Sequence, residues 1–114
     1  MYGLFNLNYV YFDSSIENTL RYLGDSGFSY SGLSAKLIIE NLPNSILGIG
    51  KSCFYMSGIA LNKLPTNLSF IGTSAFETCK NITFENVPSG ITIIPEKAFF
   101  DCTNLKMTEF GHSN

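Results

Sequence analysis

The stretch TSAFETCKNITFENVPSGITIIPEKAFFDCTNL, residues 73–105, contains one phrase twice. The segment AFETCKNI, which begins at Ala75, returns as AFFDCTNL, which begins at Ala98, 23 positions further along. Self-similarity at a period of this size is the sequence signature of a solenoid, in which each copy forms one unit that stacks on the next. The spacing of the repeat therefore predicts the architecture before any local propensity is considered.

The same unit recurs upstream of this stretch. Leu-Pro or Val-Pro appears three times, 22 and 23 positions apart, and two aliphatic residues, a small residue and a phenylalanine follow each of these prolines. A single unit cannot bury these side chains, whereas stacked units bury them in continuous columns. The columns comprise Pro43, Pro65 and Pro88; Ile46, Leu68 and Ile91; Ile49, Ile71 and Ile94; Cys53, Ala75 and Ala98; and Phe54, Phe76 and Phe99.

An alternating apolar pair closes each unit and predicts a short parallel strand. The strands are expected to begin at Leu7, Leu37, Ile59, Ile82 and Leu105. The first two starts are 30 positions apart, against 22 or 23 for the others, so the first unit has an insertion. We expect this insertion to contain a helix within SSIENTLRYL, residues 14–23. Ser14 and Glu17 have the capping-box spacing, and apolar residues follow at i, i+4 and i+7.

Two further columns are expected to contain amides and thiols. Asparagines that can donate hydrogen bonds to backbone carbonyls of the neighbouring unit stand directly before predicted strands, at Asn6, Asn81 and Asn104. Cys79 and Cys102 share a column, but adjacent parallel strands lie about 4.8 Å apart. The Cβ atoms of a disulfide are closer, at roughly 3.8 Å. We therefore expect these thiols, and that of Cys53, to be free and buried.

Composition limits the classes of function. The 114 residues suffice for one domain, and their net charge of −2 with scattered basic residues predicts no nucleic-acid partner. No apolar run reaches the roughly 18 residues of a membrane span, and the amino terminus, MYGLFNLNYVYF, lacks the pattern of a signal peptide. The three cysteines form no C-x-x-C pair, and the one histidine, His112, is the third residue from the carboxyl end, so no structural zinc site is expected. No cofactor is expected, and we expect no enzyme activity because no predicted cleft holds paired catalytic groups.

The segment LPTNLSFIGTSAFETCKNITFENVP, residues 64–88, resembles the BspA-like leucine-rich repeat, whose unit reads roughly L-P-x-x-[VL]-x-x-I-G-x-x-A-F-x-x-C-x-x-L. The resemblance is close over residues 42–110 and weak over residues 1–41. It implies an α/β repeat solenoid, a right-handed leucine-rich-repeat coil of about five rungs of 22–23 residues with a short parallel sheet. One domain would contain a degenerate first rung with the inserted helix, at 1–41, and the repeats of 42–114, at 42–64, 65–87 and 88–110.

The resemblance also implies a function class. Members of the family are typically surface or secreted proteins of noncatalytic adhesion and binding, and similar repeats occur in bacteriophage virion proteins. The first interpretation is a binding module at the cell surface or in secreted form, as part of a longer protein. The alternative is a structural or receptor-binding component of a phage tail or baseplate, held by stacking partners at its solenoid ends. The chain stops where the next core aliphatic residue is due, without a polar cap, which favours a longer array.

A ligand is expected on the outward face of the sheet, because strand residues alternate between buried and outward positions. The outward positions are mixed polar and mildly acidic, with a few apolar side chains. Such a surface suits a protein or a glycan that binds through many hydrogen bonds, and a solvated face without function is the alternative. The candidate binding residues are Tyr11, Ile38, Glu40, Asn62, Lys63, Thr83, Glu85, Lys106 and Thr108.

Overall fold

The computed structural model describes residues 9–11, 19–32, 37–40, 42–84 and 86–105. Within these residues the chain forms short strands and turns, and no helix. The strands, in chain order, are β1 (Tyr9–Tyr11), β2 (Tyr22–Leu23), β3 (Leu37–Glu40), β4 (Gly48–Ile49), β5 (Ile59–Ala60) and β6 (Phe70–Ile71). Their pairings are parallel, as expected for repeat units that stack in the same orientation.

The strands form two three-stranded sheets, in the orders β1-β3-β5 and β2-β4-β6. Successive strands alternate between the two sheets, so each of the first three rungs contributes one strand to each sheet. In the next rung, residues 82–84 form no strand, although one was predicted to begin at Ile82. The repeat solenoid predicted from the period is confirmed. The prediction of one sheet is incomplete, because the strands of the second sheet are only two residues long and are too short to show a period-2 pattern in the sequence.

The register of the first sheet agrees with the sequence prediction at one pairing and differs from it at the other. Leu37 pairs with Ile59, as predicted. Between β1 and β3, however, Tyr9 pairs with Ile38, whereas the sequence alignment placed Asn8 beside Ile38. The predicted strand starts at Leu7 and Leu37 were aligned across the insertion, and a one-residue shift exchanges the two faces of a strand. The predicted pairing of the first strand with β3 is therefore wrong by one position.

The predicted helix over residues 14–23 cannot include its last two residues. Tyr22 and Leu23 form β2 and pair with Gly48 and Ile49, and Leu23 is buried. Leu23 is buried, as the helical pattern required of it, but its backbone is a strand because it pairs in parallel with the next rung. Residues 14–18 lie outside the described residues.

A series of turns forms the third side of each rung, at residues 25–30, 51–56, 73–78 and 96–101. The Phe54 N–H donates to Ala75 O in the next rung at 2.8 Å, and the following Tyr55 N–H donates to Ser52 O in its own turn at 3.1 Å. Left-handed φ angles of 51 to 63° recur in these turns, at Ser26, Tyr30, Ser52, Met56, Ser74, Thr78, Lys97 and Asp101. This conformation costs roughly 1–2 kcal/mol at a residue with a Cβ, and the bonds between rungs offset that cost.

Phenylalanine rings form the predicted column through the solenoid. Phe28, Phe54, Phe76 and Phe99 stack in sequence, with ring centroids 5.2, 5.3 and 5.6 Å apart. Phe84 packs edge-on against the last two rings, at 6.1 and 5.6 Å. Phe28 extends the column by one ring beyond the three phenylalanines that were predicted. The aliphatic residues with no exposed surface are Leu37, Ile46, Ile49, Ile59, Leu68 and Ile82.

The predicted ladder of amides is present at two of its three positions. The side-chain amide of Asn81 donates to Gly58 O at 3.1 Å, and that of Asn104 donates to Lys80 O at 2.6 Å. Both bonds join a rung to the one before it. Gly58 O also accepts from the Leu37 N–H at 2.8 Å, so the Asn81 amide adds a second hydrogen bond at that carbonyl. Asn6, the third predicted member, lies outside the described residues.

Candidate binding groove

A groove of about 720 Å³ opens on the side of the solenoid that carries the first sheet. Its residues come from three successive rungs: the segment that follows β5, the equivalent segment one rung on, and the start of the next rung. The groove is lined by Asn62, Lys63, Leu64, Thr66, Thr83, Phe84, Asn86, Pro88 and Asn104.

The side chains of the groove divide into a buried floor and an exposed rim. Phe84 and Leu64 are 1 and 3 % exposed, and Pro88 is half-buried. The rim consists of the exposed polar residues Asn62, Lys63, Thr66, Thr83, Asn86 and Asn104. An apolar floor with a few convergent polar groups is the usual composition of a small-ligand site.

The outward position of Asn62 and Lys63 follows from the residues on either side of them. Leu61 and Leu64 are buried in the core, so the two residues between these anchors face solvent. One rung on, the Thr83 N–H donates to Leu61 O at 2.9 Å. This bond continues the ladder of the first sheet and fixes the distance between Thr83 and the Asn62 segment.

Asparagine side chains in the described ranges fall into two groups: some form hydrogen bonds between rungs, and others form no hydrogen bond. Like the ladder amides, Asn44 and Asn67 link adjacent rungs: Asn44 Oδ1 accepts from the Thr66 N–H, and Asn67 Nδ2 donates to Asn44 O. The amides of Asn62 and Asn86 make no hydrogen bond within the same ranges, and both side chains are exposed. Their donors and acceptors are therefore available to a ligand.

Among the described residues of the groove lining, Lys63 is charged and the others are uncharged. In the part of the chain that the structure describes, the ion pair present is Lys80 Nζ to Asp101 Oδ2, at 3.3 Å. Lys63 forms none there, and its side chain is exposed. The groove thus offers an anionic ligand a cation that no described carboxylate occupies.

Three of the predicted binding residues come together in this groove: Asn62, Lys63 and Thr83. Ile38 is 47 % exposed on β3 and does not belong to the lining. The sheet-face hypothesis therefore identified part of the groove, in the rungs where the repeat is most regular.

The remaining predicted binding residues fall wholly or partly outside the described structure. Tyr11 and Glu40 pair in register between β1 and β3, but only their backbone is described. Glu85, Lys106 and Thr108 lie outside the described residues. Their place in a ligand site stays a prediction.

Sequence reasoning did not select six of the nine described lining residues. These are the buried Leu64 and Phe84, the half-buried Pro88, and the exposed Thr66, Asn86 and Asn104. Asn86 stands 23 positions after Lys63, so the repeat period was a signal that could have added it. Phe84 reads as an ordinary core residue, and Pro88 follows the strand segment, where the alternation of faces no longer applies.

The cysteines are free, as predicted; Cys53 and Cys79 are buried, whereas Cys102 is half-buried. Burial raises the pKa of Cys53 to about 12, raises that of Cys79 well above its usual range, and raises that of Cys102 to about 11. The Cys79 Sγ donates to Phe54 O at 2.9 Å. Because the thiolate is the nucleophile, the raised pKa values disfavour a nucleophilic role for these thiols. Among the residues searched, no cluster of three or more His, Cys, Asp or Glu could hold a metal ion.

Comparison with known protein families identifies the chain as a repeat protein, in agreement with its stacked rungs and their columns of buried side chains. The family described as BspA type leucine rich repeat region matches residues 2–112, in six copies. A search of curated proteins and a search of solved structures each gave no significant match. The family match spans almost the whole chain, so the chain belongs to the BspA-type leucine-rich repeat family.

Proposed function

We propose that the chain is a noncatalytic recognition module that binds a protein or a glycan in the groove. Repeats of this family are generally noncatalytic binding modules. The observation that carries the proposal is the convergence of exposed polar side chains over an apolar floor, with Asn62, Lys63 and Thr83 among them. The proposal includes the finer architecture implied by the family, a right-handed coil of about five rungs.

A location at the cell surface or in secreted form, within a longer adhesion protein, is part of the same proposal. It is supported by the family, whose repeats occur in surface and secreted proteins. In the described ranges no helix is long and apolar enough to cross a membrane. The alternative, a phage virion component held at its solenoid ends, stays a prediction.

The proposal is tested with a triple variant of the full chain, Asn62→Ala, Lys63→Ala and Thr83→Ala. Wild-type and variant proteins are applied to an array of immobilised matrix proteins, serum proteins and glycans. We expect the wild type to bind at least one member and the variant to lose at least about tenfold in affinity, because several hydrogen bonds are removed together. The free energy of unfolding should change by less than about 0.5 kcal/mol per site, since the side chains are exposed.

A second triple variant controls for general effects of surface truncation. Thr73→Ala, Ser89→Ala and Thr92→Ala remove exposed polar side chains that do not line the groove. Binding by this variant should match the wild type. Equal binding by both triple variants would place the recognition surface elsewhere, and binding of the wild type to no array member would contradict the proposal itself.

A further inference from the structure

We infer that the ligand of the groove is an acidic oligosaccharide, a short chain of sugars that carries carboxylate or sulfate groups, and that Lys63 binds one of these groups. The inference rests on the proposed function, because it names the ligand class of the same groove. It depends on three properties of the groove: its size, the kind of polar groups on its rim, and its charge.

The size of the groove fits a short oligomer better than the surface of a folded protein. Its volume of about 720 Å³ lies within the range of roughly 300–1,000 Å³ that is typical of small-ligand sites. A standard protein interface uses about 20–30 residues on each side, whereas nine described residues line the groove. Protein interfaces also concentrate their binding energy in Trp, Tyr and Arg, and none of these types is among the nine.

The polar groups of the rim match sugar hydroxyls. A hydroxyl both donates and accepts hydrogen bonds, and so does the carboxamide pair of oxygen and nitrogen on Asn62 and Asn86. The hydroxyls of Thr66 and Thr83 have the same dual capacity. Pro88, an apolar lining residue that is half-buried rather than buried, can pack against the C–H face of a sugar ring, which is the apolar side of an otherwise polar molecule.

The charge of the groove selects an acidic sugar over a neutral one. Of the described lining residues, Lys63 is the charged one; its side chain is exposed, and it forms no ion pair with another described residue. A single ammonium group matches a single negative charge, such as a carboxylate or a sulfate ester. A hydrogen bond to a charged group strengthens binding by about 10- to 100-fold, which is enough to separate an acidic sugar from its neutral counterpart.

The experiment measures binding of the full chain to four immobilised probes by biolayer interferometry. The probes are oligogalacturonate, hyaluronan tetrasaccharide, sialyllactose and 6-sulfo-N-acetyllactosamine, each beside its carboxyl-reduced or desulfated form. We expect at least one acidic probe to bind at least about tenfold more tightly than its neutral form. The three carboxylate probes and the sulfate probe show which of the two groups Lys63 binds.

Variants then assign the effect to the groove. Lys63→Met should weaken binding by about 10- to 100-fold, and Lys63→Arg should restore most of it because the charge returns. Asn62→Ala and Asn86→Ala should each weaken binding by about 2- to 10-fold, the effect of one neutral hydrogen bond. Lys80→Met is the matched control, because it removes an equal charge from an exposed lysine outside the lining, and it should leave binding unchanged.

The outcomes separate this inference from the function on which it rests. Binding to none of the four probes, equal binding to acidic and neutral forms, or an equal loss in Lys63→Met and Lys80→Met overturns the inference. Binding to an array protein that is abolished by the Asn62, Lys63 and Thr83 triple variant, without binding to any probe, overturns the inference and supports the proposed function. Probe binding that the triple variant leaves intact overturns both.

Discussion

Replacement of Phe76 by alanine should remove a large part of the stability of the fold. Phe76 has no exposed surface. Its ring stacks between Phe54 and Phe99 at centroid distances of 5.3 and 5.6 Å, and Phe84 packs edge-on at 6.1 Å. Truncation of a buried phenylalanine to alanine costs about 3–5 kcal/mol, from lost burial and from the cavity that remains.

The rungs around Phe76 cannot easily close such a cavity. The Phe54 N–H donates to Ala75 O at 2.8 Å, and the Phe76 N–H donates to Ala98 O at 2.9 Å. These bonds set the spacing between rungs on both sides of the missing ring. We therefore expect a loss in the upper half of the range, about 4–5 kcal/mol, out of a total stability of about 5–15 kcal/mol for a typical domain.

The assay is urea unfolding followed by circular dichroism, with Phe100→Ala as the matched control. Phe100 belongs to the next rung and is 57 % exposed, and its ring lies 5.7 Å from Lys97 Nζ. An exposed cation–π contact is worth about 0.5–1 kcal/mol, so the control should lose no more than about 1 kcal/mol. Phe76→Leu should fall between the two. Losses within 1 kcal/mol of each other for Phe76→Ala and Phe100→Ala would refute the stacked column as the core.

Three further predictions concern the turns, the amide ladder and the thiols. Thr78→Asn should raise the free energy of unfolding, measured in urea, by about 0.5–1 kcal/mol. Thr78 has a φ of 60°, and asparagine tolerates this left-handed conformation better than a β-branched residue does. A lower free energy of unfolding would contradict this prediction. Asn81→Ala should cost about 1–2 kcal/mol, because the bond to Gly58 O is lost, whereas Asn62→Ala should be neutral in the same assay. The protein should lose stability as the pH rises above about 8.5, where unfolded thiols ionise, because burial raises the folded pKa of Cys79. That thiol lowers the free energy of unfolding by up to about 1.4 kcal/mol for each pH unit. If the free energy of unfolding of Cys79→Ala falls with pH as steeply as that of the wild type, Cys79 is excluded as the cause.

The buried columns could be predicted from the sequence because burial determines which residue types recur. Ile59 and Ile82 have no exposed surface, and the same holds for Phe54 and Phe76. A side chain at such a position must fit against its equivalents in the adjacent rungs. Positions that keep one residue type at the repeat period are therefore predicted to be the packed ones. The role of the Asn81 amide was predictable because asparagine recurs directly before predicted strands, where its side chain can donate to a backbone carbonyl of the adjacent rung.

The second sheet could not be predicted in this way. Phe70 in β6 is apolar, yet 57 % of its surface is exposed, and Tyr22 in β2 is 66 % exposed. Gly48 pairs with both in the sheet, and a Cβ there would lie 2.9 Å from Tyr22 Cδ1 and 3.4 Å from Phe70 Cδ2. An apolar residue in these strands therefore does not have to face the core. A two-residue strand also has too few positions to show an alternating pattern of buried and exposed residues.

The groove was partly predictable because several of its rim residues stand between the repeat columns. The period places Glu85 opposite Asn62 and Asn86 opposite Lys63, so residue types at these rim positions change from one rung to the next while the columns on either side persist. The amide of Asn81, which recurs at Asn104, bonds to the adjacent rung, whereas the amides of Asn62 and Asn86 make no such bond within the described residues. The stacking of rungs therefore does not require one residue type at these rim positions. Specificity in this solenoid should therefore be altered by substitutions at Asn62, Lys63 and Asn86 without loss of the fold.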